Sequence, residues 1–471
     1  MTNRSTTSTA RHSRQATHGP TSKVGLLVIF ASIGLPGCPL SDHYYVDENK
    51  TEGGGGNSAG SSGSGGRSST VGGGESCDSV SCSGECCGDK CADLKSDVDH
   101  CGSCDHACAP GRSCSSGNCS GWTSMASPPQ GFVARQKAAF ASMGDKLFVF
   151  GGIDGKGNAL GDGALYDPEQ DSWTLVTQDE NTPTPRQLAS AVWTGLRVLV
   201  VGGENADATV ALADGGRYDP ESRGWLSMPD LPAGRVAPYL ANASNAGYVM
   251  TWGGYSASGS ALAGGERFSY NGQSWTAFAP APGTPARVFE PAWAGGENGA
   301  FLFGGRADGD SSAMGYTFYP ESGQWVGLPW GGPSARYGAF STWDGSTFFV
   351  WGGRDEVQVL RNGFAFDRNG WTAMSGSSPL GARYAPLRRT GFAFANGTTD
   401  ILFIGGLDES GRVLTDGARY RSTDGGWSSI PAWPSKESHE YGVFSLVNGE
   451  LLVWGGKNGD TLTVTGERYR P

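Results

Sequence analysis

Short apolar runs, each closed by a pair of glycines, recur along most of the chain. Leu147-Phe148-Val149-Phe150-Gly151-Gly152 is the first, followed by Val198 to Gly203, Val249 to Gly254, Phe301 to Gly305, Phe348 to Gly353, Ile401 to Gly406 and Leu451 to Gly456. The diglycines begin at steps of 51, 51, 51, 48, 53 and 50 residues. A short, wholly apolar run predicts a strand covered on both faces, and a period near fifty predicts a repeat array of small sheets. Each unit has four parts. An Arg-led apolar segment, such as Arg186 to Trp193, precedes the diglycine strand. After a variable loop comes a strand ending in Tyr166, Tyr218, Phe268, Phe318, Phe366, Tyr420 or Tyr469, and then a strand carrying Trp173, Trp225, Trp275, Trp325, Trp371 or Trp427. Four short strands joined by turns make one antiparallel sheet, and a ring of sheets leaves only short, protected edges.

Strand accounting sets the number of sheets. Seven diglycine strands are followed by six tryptophans, and the missing one stands at the other end of the array, where Trp122 precedes Trp173 by 51 residues. An amino-terminal strand with Trp122 is therefore expected to complete the seventh sheet and close the ring, with six or eight sheets as alternatives.

The apolar run into Gly-Gly, the spaced Tyr or Phe and the Trp at a fixed offset resemble the kelch repeat family over residues 121–471. The resemblance implies an all-β, seven-bladed kelch-type β-propeller, with Gly-Gly permitting a tight turn and the aromatics packing between blades. Kelch propellers are usually binding platforms, and some are enzymes, so the residues must decide. The kelch-type copper oxidases use a tyrosine–cysteine crosslink and histidine ligands; this array has no cysteine, and its histidine is His439. Metal hydrolysis and triad chemistry lack histidines in the same way, and His439 is expected to face solvent. No catalytic residue, metal or cofactor is assigned. Carboxylate-only catalysis stays open, as an epimerase-like or lyase-like carbohydrate-active enzyme.

The strongest positional signal is a series of arginines. Arg135, Arg186, Arg235, Arg287 and Arg336 lie 16 to 18 residues before their diglycines, and Arg383 holds a similar place in a longer unit. The loops after Gly-Gly carry Asp154, Glu204, Asp308, Asp355 and Asp408. Together these are candidates for ligand binding at one mouth of the propeller, either holding an anionic group or bracing the loops. Calcium is a further option for the acidic loops, although turn chemistry explains them equally well.

The amino terminus changes the picture. Residues 1–37 combine a basic segment with the apolar run Val24 to Leu35, and Leu35-Pro36-Gly37-Cys38 resembles the lipobox of bacterial lipoproteins. The resemblance implies cleavage before Cys38 and a diacylglycerol on its sulfur, anchoring the chain at the outer membrane or cell surface, with secretion or a periplasmic location as the alternative. Residues 38–76 are expected to carry the lipid attachment and a flexible tether, whose Gly/Ser-rich stretch 51–74 reaches roughly 25–30 Å. Residues 77–119 hold Cys77, Cys82, Cys86, Cys87, Cys91, Cys101, Cys104, Cys108, Cys114 and Cys119, an even set expected to form structural disulfides. A zinc site or a Cys101–Cys104 redox pair are the other options. This block resembles the Stig1-like cysteine-rich module of bacterial surface proteins.

Composition then narrows the partners. With 77 glycines and 17% charged residues, long helices are not expected, and a net charge of −11 argues against a general nucleic-acid binder. The expected function is a lipid-anchored, non-catalytic platform for an unknown protein or glycan, the structural envelope component being another alternative.

Overall fold

The computed structural model describes residues 82, 84–88, 90–108, 112–280, 288–307, 310–374, 377–386, 391–397 and 399–471. Cys38, Cys77, Arg287, Asp308 and the signal and tether segments lie outside the described residues.

The array is a seven-bladed propeller of antiparallel sheets, as the strand accounting predicts. Blade 1 runs through Ala139–Ser142, Leu147–Phe150, Gly163–Asp167 and Ser172–Leu175, and the next five blades repeat that order. The first strands of successive blades face one another around the axis, from Ala139–Ser142 round to Val443–Val447 and back. They carry small residues where the blades converge, such as Ala139, Ala141, Ala241, Ala292 and Ala294, all buried. The second strands are covered by neighbours on both sides; Leu147–Phe150, Val198–Val201 and Phe348–Trp351 are buried at every position. That is why they appear as unbroken apolar runs rather than alternating ones.

Seven core clusters occupy the seven blade–blade interfaces among the described residues. Across each blade's outer pair, the spaced aromatic stands opposite its tryptophan, from Tyr166 and Trp173 at 5.0 Å to Tyr420 and Trp427 at 4.9 Å between ring centroids. In blade 7 the tryptophan opposite Tyr469 is Trp122, at 5.1 Å, because Asn118–Ser124 pairs with Gly466–Arg470. Indole N–H groups then reach into the preceding blade: Trp173 donates to Ala126, Trp275 to Pro229, Trp325 to Ala279 and Trp122 to Pro431.

Asn118–Ser124 also belongs to the cysteine module, since Cys119 is bonded to Cys108. The other pairs are Cys82–Cys91, Cys87–Cys104 and Cys101–Cys114, and Cys86 is disulfide-bonded as well. Cys101 and Cys104 thus have different partners. The sulfurs of Cys101, Cys108 and Cys119 crowd within 4.8 Å because two of these disulfides lie side by side.

Candidate functional site

The segment leading into each first strand turns sharply at the end of the propeller that bears the post-diglycine loops. An arginine organises it. Arg135, Arg186, Arg235, Arg336 and Arg383 are between 1% and 5% exposed. Each guanidinium donates to the first glycine carbonyl of its own unit, Gly151, Gly202, Gly253, Gly352 or Gly405, at 2.7–3.1 Å. Each arginine's own carbonyl accepts from the second glycine of the preceding unit, as Gly456 N–H does to Arg135 and Gly152 N–H to Arg186, both at 2.8 Å. One residue therefore ties two blades. The diglycine must be glycine here: Gly202 has φ +69°, and a Cβ on it would stand 2.4 Å from the Arg235 carbonyl oxygen.

Most of the guanidiniums also meet a carboxylate, and it is not one of the predicted acids. Arg135 takes Asp162 through two bonds of 2.8 and 2.9 Å, Arg235 takes Glu266 through two of 2.9 and 2.7 Å, and Arg383 takes Asp416 at 3.1 and 3.2 Å. Arg186 is paired with Asp214. At Arg336 the equivalent residue is Asn362, which offers its main-chain carbonyl, and burial pushes the guanidinium down to about 10 against the pull of Asp355. Asp162, Asp214 and Asp416 stand just before the third strand, as Asp-Gly, whereas Glu266 is the second residue of its third strand, as Gly-Glu, an offset change that hides the set in the sequence.

The predicted acids do other work. Asp154 accepts from the N–H groups of Lys156 and Asn158, Asp355 from those of Val357 and Gln358, and Asp408 from Ser410 and Arg412, so each caps its own turn. The Ser410 hydroxyl and then the Arg412 contacts hold the Asp408 carboxyl at about 2. Glu204 is 8% exposed, and burial pushes its carboxyl up while Lys137 acts against the shift. Of the two readings of the series, the described guanidiniums fit bracing: they lie beneath the surface with their donors spent on loop carbonyls and, in all but Arg336, on an acid outside the predicted set.

His439 requires a correction. It is fully buried rather than facing solvent. Its Nδ1 lies 2.7 Å from the Gly455 carbonyl and its Nε2 3.1 Å from Glu467, so the imidazole occupies the arginine's place in blade 7. The clue was its separation of 16 residues from Gly455, the same as Arg135 from Gly151.

Two positions beyond each of these anchors the chain enters the central channel. Lys137, Leu188, Ala237, Gly338 and Tyr441 have φ between +48° and +60°, as has Glu290 in blade 4 at +52°. Their backbones are linked in two runs round the mouth: Lys137 N–H donates to Tyr441, Leu188 to Lys137 and Ala237 to Leu188, and separately Gly338 donates to Glu290 and Ala385 to Gly338, at 2.7–2.9 Å. Left-handed backbone at bulky residues costs on the order of 1–3 kcal/mol each and is kept where the surroundings enforce it.

Behind this rim is a cavity of about 280 Å³ to which all seven blades contribute. Phe140, Tyr239, Trp293, Phe392 and Phe394 are among its walls. Phe140 of blade 1 meets Phe392 of blade 6 edge-on at 5.6 Å, reaching past blade 7. At the rim the Lys137 ammonium lies 5.6 Å from the Tyr441 ring centroid. Glu290 is the single carboxylate among the lining residues, and burial pushes its carboxyl up, with Arg306 opposing. The volume is near the lower limit of small-molecule sites, about 300 Å³, which suits one side chain or one sugar ring.

Residues 239–456 match the KLHDC2/KLHL20/DRC7 Kelch-repeats domain, and residues 134–178 match the Kelch motif. Kelch-like protein 25 of Xenopus tropicalis is 29% identical over 134 residues, 28% of this chain and 21% of that protein. Beta-scruin of Limulus polyphemus is 29% identical over 142 residues, 29% of this chain and 15% of that protein. An F-box/kelch-repeat protein of Arabidopsis thaliana is 35% identical over 100 residues, covering 20% and 24%. The aligned segments therefore span less than a quarter of each of these relatives.

Proposed function

We propose that this kelch-repeat propeller is a non-catalytic binding platform whose partner, a protein segment or a glycan, docks on the loop-bearing end and places one apolar group in the channel mouth. The observation that carries this is the cavity itself: aromatic walls, a lysine and a single carboxylate at the rim, and room for one group. General acid–base work on a sugar uses two carboxylates flanking the scissile bond, whereas this lining supports shape-based capture with a polar rim. The buried arginines serve the platform by keeping the rim rigid.

A photo-reactive residue at Leu188, on the rim, is expected to trap a discrete partner on the protein's own cells. The same probe at Val326, 51% exposed on the outer strand of blade 4, is expected to trap none. Capture from position 326 without capture from 188 would move the binding surface to the blade edge and sink the proposal.

The platform is displayed from the envelope by a diacylglycerol on Cys38, with the Gly/Ser tether and a Stig1-like module holding it clear of the lipid. The lipobox-like Leu35-Pro36-Gly37-Cys38 and the disulfide-bonded cysteines support this reading. Incorporation of labelled palmitate into the chain is expected, and Cys38→Ser abolishes it; label retained by that variant would refute the anchor.

A further inference from the structure

A second cleft lies at the opposite edge of blade 7, where the cysteine module joins the propeller. Its volume is about 330 Å³, and Arg112, Arg468, Arg470, Glu450 and Glu169 line it. Three guanidiniums converge on Glu450, which is 3% exposed: Arg470 at 3.0 Å, Arg112 at 3.1 Å and Arg468 at 3.8 Å. A brace between module and propeller needs one of these pairs, and Arg112 with Glu450 supplies it. The other two cations share the same carboxylate, so three guanidiniums gather round one buried acid, with Glu169 in the lining and Asp171 beside Arg468 as the further acids. Arg468 spreads its remaining contacts over the Thr123 hydroxyl, the Pro168 carbonyl and Asp171 at 3.5 Å.

Like charges gathered round one buried acid repel, and a chain of net charge −11 has no general surplus of cations to place there by chance. Among the described residues the buried Nε of Arg112, whose side chain is 6% exposed, has no hydrogen-bond partner, and neither has Oε2 of Glu450. A buried donor without a partner is costly unless something in the cleft accepts from it. Guanidinium forks fit a tetrahedral oxyanion in particular, through paired N–H donors.

We propose that this cleft is an anion site for a phosphate-type group, bounded by Arg112, Arg468 and Arg470 and seated between the cysteine module and the closing blade. The group is either free phosphate or the phosphate of a lipid headgroup, since the chemistry of recognition is the same. The site is independent of the channel mouth.

The probe is inorganic phosphate, titrated calorimetrically into the full chain carrying Cys38→Ser, at ionic strength held constant with chloride. One saturable site is expected. Arg470 is 47% exposed at its side chain, so Arg470→Gln leaves the fold intact, and it weakens binding on the order of tenfold. A phosphate effect that is unsaturable, or equal in wild type, Arg470→Gln and Arg470→Glu, is general salting of the protein and overturns the proposal. Flotation with phosphatidylglycerol vesicles separates the sources. Vesicle binding that phosphate competes away and Arg470→Glu abolishes assigns the headgroup, whereas saturable phosphate binding without vesicle binding assigns the free ion.

Discussion

Trp122→Ala is expected to destabilise the propeller by about 3–5 kcal/mol, the usual range for truncating a buried tryptophan. The side chain is 4% exposed, packs on Tyr469 at 5.1 Å and Trp433 at 6.0 Å, and donates its indole N–H to Pro431 at 2.7 Å. What separates it from its equivalents is connectivity. Trp325 makes a similar bond to Ala279, but its strand follows directly on the strand it pairs with. The Trp122 strand pairs with Gly466–Arg470, at the far end of the array, so it alone among the outer strands holds the ends of the ring together. Losing the indole therefore loosens a long-range pairing whose closure entropy no short turn offsets. Urea denaturation followed by circular dichroism measures the loss, and limited proteolysis locates it: cleavage near residues 120–130 accelerates in Trp122→Ala and not in Trp325→Ala. Equal protease resistance in the two variants would mean that the strand is not the latch.

The diglycines, the spaced aromatics and the tryptophans were legible because each has one chemical task repeated in every blade. Gly-Gly must be glycine under the next blade's Arg carbonyl, and the aromatics must fill the same wedge between sheets. The arginine series was legible for the same reason, but its role was not, because burial decides whether a guanidinium braces or binds, and burial depends on acids that the chain supplies in two forms. Asp162 precedes its glycine and Glu266 follows its own, yet both reach the same place. His439 was read by residue type, as a lone polar group, although its spacing matched the arginines. The channel rim was least accessible. Lys137, Leu188, Ala237, Glu290 and Tyr441 share no chemistry, and their left-handed backbone goes with hydrogen bonds passed from one blade to the next rather than with any local preference. Counting two residues on from each anchor would have found most of them.

The brace also predicts opposite outcomes in two blades. In blade 3, Glu266→Gln removes the counter-charge of Arg235 while both side chains remain 6% exposed, leaving a guanidinium with hydrogen bonds but no anion. Breaking a buried pair from one side costs about 3–5 kcal/mol, because the remaining charge is stranded. In blade 5 that stranded state is already the native one: Arg336 is 1% exposed and has the Gly352 and Asn362 carbonyls and Ser334 as its acceptors. Its depressed guanidinium, at about 10 against 12.5, corresponds to a burial cost on the order of 3 kcal/mol. Asn362→Asp supplies the carboxylate found at Asp162, Asp214 and Asp416. Those acids are a third or more exposed, so solvent screens part of the gain, and the expected stabilisation is about 1 kcal/mol. The two changes are read in one urea series at pH 7. A loss of under 0.5 kcal/mol, roughly the effect of a surface substitution, for Glu266→Gln would show that the arginines do not depend on their acids. A loss of stability for Asn362→Asp would show that blade 5 keeps its asparagine because the loop cannot place a carboxylate against Arg336.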